Sequence, residues 1–322
     1  MDINKLKQTI IDQKAVFQGK RDFLPRFFST SLFESKKIAA ITGVRRSGKS
    51  TLLRQIAGQC ENYYYLNFED ERLLDFVVND FNSLLEIYFS FYGEKGVFFF
   101  DEIQNVSGWE KFVGRMFSEG YKIYITGSNA KLLSSELATS LTGRHLRHEL
   151  YPFGFSEFLD YKKIKYEKLP TTAGKVMMLK YFDEFLLYGG FPEIVESRNG
   201  EELRQLYQDI LIKDLIVRFK IKDAKSFREL ALYLLSNSGR PVSYNNLKKV
   251  LGIKSATTVK NYIEYLAESY LNFSISKFDY SLKKQIKNDK KIFSIDTGLI
   301  NFVSFLFAPE SGRILENVVF LE

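Results

Sequence analysis

The chain has 322 residues, of which 45% are hydrophobic and six are proline, with a formal net charge of +7; this composition excludes intrinsic disorder as the carrier of function, and the length leaves room for more than one folded module. The single cysteine, Cys60, has no second thiol for a disulfide or a metal cluster, which points to a reducing compartment. Met1 to Gln18 interleaves charges with apolar residues, and no stretch reaches the roughly 20 apolar residues of a bilayer span, so a cytoplasmic protein without a membrane partner is expected.

In chain order, Ile38 to Thr42 is a short apolar run with the character of a buried strand. It leads directly into Gly43-Val44-Arg45-Arg46-Ser47-Gly48-Lys49-Ser50, the G-x-x-x-x-G-K-[ST] pattern of a Walker A loop. Thr51, Leu52, Leu53, Ile56 and Ala57 then place apolar residues at helical spacing, so the loop opens a helix. Glycines let backbone amides curl around phosphates, and the helix N-terminus adds partial positive charge. Gly43, Arg46, Ser47, Gly48, Lys49, Ser50 and Thr51 are therefore the candidate nucleotide-binding residues. Lys49 is placed to reach the β- and γ-phosphates, and the Ser50 hydroxyl to ligate Mg²⁺.

Tyr63 to Asp70 reads as another sheet strand ending in acids, beside the next one but without chemistry of its own. Val97 to Glu102 is an apolar run ending in two adjacent carboxylates, as expected of a strand buried on both faces whose carboxyl end meets a ligand. Asp101 is the candidate Mg²⁺ aspartate and Glu102 the group that polarises an attacking water. A third strand, Tyr121 to Thr126, ends in Gly127-Ser128-Asn129. Ser128 or Asn129 there would contact the γ-phosphate or the water, or would serve only as a helix N-cap. In Leu141 to Arg147, Arg144 is a candidate to stabilise charge on the γ-phosphate, within its own subunit or across an interface. His145 and His148 are the two histidines, and nothing around them supplies further metal ligands.

The basic excess is local. Between Arg240 and Lys291 there are 11 Lys/Arg and 4 Asp/Glu, a surplus equal to that of the entire chain, which suggests a polyanionic partner for this segment. Within it and just before it, helices are expected over Ser226 to Ser236, Tyr244 to Leu251 and Ala256 to Tyr270, and strands over Phe273 to Phe278 and Lys291 to Ile295 around a lysine-rich loop. That is the outline of a winged helix-turn-helix. Lys254, Thr257, Thr258, Lys260 and Asn261 would face a major groove, with Lys283, Lys284, Lys287, Lys290 and Lys291 on phosphates. The bland alternative is a protein-binding or lid module whose lysines are merely solvated.

With these residues placed, the chain resembles the prokaryotic AAA-type (AAA+) ATPases known only as ATP-binding proteins. The likeness is carried by Ile41 to Ser50, Phe100 to Gln104, Ile125 to Ala130, Thr142-Gly143-Arg144, Tyr151 to Phe158, Gly189 to Glu193 and Asp296 to Leu299. The resemblance implies an α/β P-loop NTPase fold of the ASCE type with a parallel sheet ordered 5-1-4-3-2, then a helical region and a winged helix. The expected boundaries are 1–160 for the ATPase core, 161–221 for a helical lid or linker, 222–295 for the winged helix and 296–322 for the start of a further domain. In the family the chain usually continues past a Glu-Asn pair such as Glu316-Asn317 into a restriction-endonuclease-like domain, whereas this sequence stops at Glu322; a truncated carboxyl-terminal domain is expected. The function expected is Mg²⁺-dependent ATP hydrolysis to ADP and phosphate, coupled to movement of a winged helix on double-stranded DNA, with a homo-oligomer as an option. The alternative is a nucleotide-binding regulatory or scaffold protein with little turnover and protein partners.

Overall fold

The computed structural model describes residues 1–19, 25–29, 31–128, 141–165, 171–304 and 311–322. They form two compact units, one of Met1–Gly43 with Gly48–Leu150, the other of Val44–Ser47 with Tyr151–Glu322.

The first unit begins with α1 (Ile3–Gln18), whose N-terminus is capped by Asp2 accepting from the Lys5 amide at 2.8 Å. A single turn, α2 (Ser31–Glu34), precedes β1 (Ile38–Thr42). Then follow α3 (Lys49–Ala57), β2 (Tyr63–Asn67), α4 (Asp80–Tyr92), β3 (Val97–Asp101), α5 (Trp109–Ser118), β4 (Ile123–Gly127) and β5 (His145–Glu149). All five strands are parallel, in the order β2-β3-β4-β1-β5, which is the expected 5-1-4-3-2 read from its other edge.

Alternation along β3 builds both layers of the core. Phe98 and Phe100 pack with α4 and α5 through Phe81, Leu84, Phe112 and Trp109, whereas Phe99 points the other way, among Leu52, Leu53 and Ile56 of α3. The three phenylalanines are fully buried, as a parallel strand covered by helices on both faces requires. Truncating any one to alanine would cost on the order of 3–5 kcal/mol. β5 is the exception. It lies at the sheet edge, half exposed, and its sequence His-Leu-Arg-His-Glu carries the charges that protect an open edge.

The second unit is mostly helical: α6 (Phe155–Tyr161), α7 (Thr172–Tyr188), α8 (Pro192–Ser197) and α9 (Gly200–Asp209), which runs on into a π-helical turn over Ile210–Val217. Next come α10 (Ala224–Ser236), β6 (Pro241–Val242), α11 (Tyr244–Val250), α12 (Ala256–Glu268), β7 (Asn272–Ser276), α13 (Leu282–Lys287) and β8 (Lys290–Ser294). The strands form an antiparallel sheet ordered β6-β8-β7. One difference from the sequence expectation lies between β7 and β8, where a short helix replaces the lysine-rich loop. Leu-Lys-Lys-Gln-Ile-Lys consists largely of strong helix formers, and that local preference prevails.

α14 (Thr297–Val303) and α15 (Ser311–Leu321) complete the unit, and both are tied down by buried polar groups. Asn317, with no solvent exposure, accepts from the Ser238 hydroxyl and the Ser294 amide and donates to the Ser294 carbonyl at 2.9 Å. Asp296 caps α14 through the Leu299 amide and also accepts from the Gly190 amide at 2.7 Å. Three glycines make this approach possible: a Cβ on Gly189 would fall 2.1 Å from Asp296 Oδ1, one on Gly190 2.1 Å from the Phe153 carbonyl and one on Gly298 2.2 Å from the Tyr188 carbonyl.

Burial raises the Asp296 carboxyl to about 6, against the opposing pull of the Gly190, Leu299 and Gly298 amides. An acid whose folded value lies above its unfolded value of 3.8 favours folding most below that unfolded value, and the contribution fades as pH rises through the folded one. The difference corresponds to about 3 kcal/mol. Urea unfolding of wild type and Asp296→Asn between pH 4 and 7 should therefore show the wild type losing stability relative to the variant as pH rises, with most of the change complete by pH 7. Parallel stability profiles would contradict this assignment.

Candidate functional site

The glycine-rich loop begins where β1 ends at Thr42, at the carboxyl edge of the sheet. Gly48 stands at the start of α3 with φ 93°, a left-handed conformation that side chains resist. A Cβ on Gly48 would make only ordinary contact, 3.4 Å from Nη1 of Arg26, a buried residue, so it is the backbone conformation that calls for glycine. Lys49, Ser50 and Thr51 form the first turn of α3, the end of a helix where backbone amides favour an anion. Lys49 is 5% exposed and donates from Nζ to the Gly43 carbonyl at 3.2 Å, folding the lysine back over its own loop. The middle of the loop, Val44–Ser47, groups with the second unit. There Arg46 pairs with Glu193 at 2.7 Å and Arg45 with Asp214 at 3.2 Å.

One strand, β3, brings both acids to the same edge. Asp101 ends β3, and its carboxylate is fully buried. Thr126 of β4 donates to Asp101 Oδ1 and accepts from the Glu102 amide at 2.9 Å, so one hydroxyl fixes both acidic residues. Tyr65 donates to Asp101 Oδ2 at 3.1 Å, and the Ser50 hydroxyl also reaches this carboxylate. Burial pushes the Asp101 carboxyl above the usual carboxylate range, and the Glu102 charge adds to the rise; the Ser50 and Thr126 hydroxyls and the Lys49 ammonium oppose it.

Glu102 follows at φ 50°, ψ 43°, a left-handed backbone that a glutamate adopts only under constraint. The turn sends its carboxylate toward the loop. Oε1 lies 3.4 Å from Lys49 Nζ, while Oε2 accepts from the Ser128 amide at 3.2 Å and from Gln104 Nε2 at 2.5 Å. Loop lysine, helix-borne hydroxyl, buried aspartate and second carboxylate thus stand together. Ser50 and Asp101 offer only hard oxygen donors, the set that suits Mg²⁺.

Other expected site residues fare differently. Ser128 is buried at the end of β4 and joins the site through its backbone amide. Asn129 lies outside the described residues. Arg144 is exposed, and its carbonyl accepts from the Ile38 amide at the opposite, amino edge of the sheet. In the parallel register His145 sits beside Ile38 and Glu149 beside Thr42, so Arg144 is roughly 16 Å down the strand from the loop. The expectation that it could act within its own subunit is corrected. A parallel edge strand enters the sheet at the end remote from the ligand, and the sequence did not reveal that β5 pairs with β1 in that register. Arg147, nearer the loop, donates to Thr42 Oγ1 at 3.3 Å and pairs with Glu149.

Among the lysines of the basic segment, Lys254, Thr257 and Lys260 are exposed at the start of α12, with Lys260 3.6 Å from Glu264. Lys283 and Lys284 are exposed on α13; the side chain of Lys287 lies outside the described residues. Lys290 and Lys291 do not stand free for phosphates, because Lys290 donates to Ser276 Oγ at 3.2 Å and Lys291 pairs with Glu316. As members of β8, their side chains are directed by the sheet rather than by a flexible loop.

Sequence reasoning missed Tyr65, Thr126, Gln104 and Arg26. Thr126 was recognisable in principle as the last polar residue of a strand neighbouring β3, and Gln104 by its spacing from Glu102. Nothing local marks Tyr65 or Arg26.

A family model described as an AAA domain matches residues 35–159, and one described as a domain of unknown function matches residues 179–310. The chain is 38% identical over 343 aligned positions to the uncharacterised protein MJ1544 of Methanocaldococcus jannaschii, covering 100% of this chain and 76% of that protein. It is 34% identical over 303 positions to an uncharacterised protein of Haemophilus influenzae, covering 88% and 74% respectively. Among solved structures, the ADP form of the Aeropyrum pernix ORC2 protein matches at 11% identity and TM-score 0.41, covering 95% of this chain and 97% of that one. Sheet order, glycine-rich loop and acidic pair define an AAA-type nucleotide-binding protein. The chain belongs to the AAA+ P-loop ATPase family and shares it with the Methanocaldococcus and Haemophilus proteins. No described helix is long and apolar enough to cross a membrane.

Thr126→Val keeps the shape of the side chain but leaves Asp101 Oδ1 and the Glu102 amide without their shared partner. The expected loss of stability is about 1–3 kcal/mol, read from chemical denaturation.

Proposed function

We propose that the chain binds ATP with Mg²⁺ at the loop of Gly43 to Thr51, hydrolyses it, and couples the cycle to movement of a winged helix on double-stranded DNA. The observation that carries the first part is the meeting of Lys49 with Glu102 at 3.4 Å beside the Asp101 and Ser50 oxygens. In this reading the amides of Gly48, Lys49, Ser50 and Thr51, with those of Arg46 and Ser47, hold the phosphates. Ser50 and Asp101 would hold Mg²⁺, which would neutralise phosphate charge. Lys49 exchanges its carboxylate partner for the γ-phosphate, and Glu102, released from the lysine, accepts a proton from water positioned near the Ser128 amide. Asn129, next to Ser128 in sequence, would assist, and Arg144 would act only from a second copy of the chain.

Glu102→Gln removes the base and also the competitor for Lys49. Steady-state turnover should fall by about 10²–10⁴-fold, while equilibrium binding of ATP with Mg²⁺ is kept or tightened. Lys49→Ala should lose binding itself. Negligible turnover by the wild type, with or without DNA, would favour a nucleotide-holding scaffold instead.

For the second unit, the succession α10, β6, α11, α12, β7, β8 supports a winged-helix reading, with α12 as the helix that enters the groove. Lys254, Thr257 and Lys260 would face the duplex, and Lys283, Lys284 and Lys287 the phosphates. A Lys283→Glu, Lys284→Glu variant should bind duplex DNA more weakly, with its salt dependence flattened by about one per lysine on a log–log plot. Equal affinity and equal slope would remove DNA from the proposal.

A further inference from the structure

We propose that Tyr65 is a positioning residue of the metal site, holding the Asp101 carboxylate in the orientation from which it meets Mg²⁺ beside Ser50; this rests on the nucleotide reading given above. Tyr65 belongs to β2, which pairs in parallel with β3 so that Tyr65 stands opposite Phe99 and Asn67 opposite Asp101. The tyrosine therefore shares the face of Asp101 one strand away, two residues nearer the amino edge. A phenol spans that gap, and its hydroxyl donates to Asp101 Oδ2 at 3.1 Å in a buried setting. The phenol hydroxyl is the donor and the carboxylate oxygen the acceptor.

Thr126 holds the other oxygen, Oδ1, from the opposite side. With a donor on each oxygen from each flanking strand, the plane of the carboxylate is set before any metal arrives. Tyr65 is held in turn. Its ring stacks on Phe17 of α1 with centroids 3.8 Å apart and planes 18° from parallel, and the Arg54 guanidinium of α3 lies 5.3 Å from the Phe17 centroid. Neighbours of this kind, which orient a ligand without touching the ion, set metal affinity as well as geometry. Nothing in a core-filling role demands the hydroxyl, since phenylalanine would stack on Phe17 equally well.

Tyr65→Phe deletes the hydroxyl and keeps the ring. The test is binding of a fluorescent, non-hydrolysable ATP analogue to the full chain, measured first in EDTA and then across a Mg²⁺ titration, with the apo melting temperature alongside. The expected result is an unchanged affinity in EDTA, a half-saturating Mg²⁺ concentration raised about tenfold, and a melting temperature lowered no more than by Thr126→Val, since each variant takes one donor from buried Asp101. Phe17→Leu, which loosens the stack and leaves the hydroxyl, should shift the Mg²⁺ midpoint in the same direction by a smaller factor. A Tyr65→Phe curve that superimposes on wild type overturns this inference alone. Absence of analogue binding by the wild type in either condition overturns the nucleotide reading together with it.

Discussion

Asp101 sets the conditions for the rest of the first unit. A carboxylate without solvent exposure at the tip of a central strand carries a desolvation cost that only close donors offset. Ser50, Thr126 and Tyr65 provide them from three different elements, α3, β4 and β2. β2 and β4 must therefore run to the same edge of the sheet at which α3 begins. An all-parallel sheet achieves this, because every strand delivers its carboxyl end to one side. The left-handed turn at Glu102 follows from the same demand: the Glu102 amide is bound to the hydroxyl that holds Asp101, and the chain has to reverse there while keeping both bonds.

The second unit solves a different problem with similar means. Its helices are tied to its small sheet by buried polar residues, Asp296 and Asn317, whose bonds reach backbone groups far away in sequence. Several residues that carry the family resemblance belong to this fastening. Gly189, Gly190 and Gly298 are needed because carbonyl and carboxylate oxygens lie where their side chains would begin. Asn317 closes a network between β8 and α15. Motif-like conspicuousness in this half of the chain thus reflects close backbone packing, whereas in the first half it marks the candidate site.

The candidate site was legible to the extent that its chemistry is local. Strand, glycine loop, lysine and helix succeed one another within twenty residues, and their geometry follows from chain continuity. Asp101 and Glu102 were identifiable because the apolar run ending in two acids follows the glycine loop by about 50 residues; alone, such a run is as readily a solvated strand end. Arg144 shows the limit. Its type and position in the chain suited a phosphate contact, yet strand register carried it to the far edge of the sheet. Tyr65 shows the converse: an ordinary aromatic in an aromatic-rich strand becomes a partner of Asp101 only because β2 pairs with β3 in one register.

What the amino-acid sequence determined by itself was the identity of the elements and of the residues that act through their immediate neighbours, since helical spacing, strand alternation and loop conformation are short-range properties. The helices and strands of residues 224–294 emerged within a few residues of their expected ends for the same reason, and the short helix α13 escaped notice because a lysine-rich stretch reads as solvated loop as readily as helix. Tertiary structure alone decided which strands are neighbours, which face each side chain shares and which buried polar atoms meet. Those outcomes depend on contacts between segments tens of residues apart, whose free energy is settled by packing the entire sheet at once and leaves no mark in any local window of sequence.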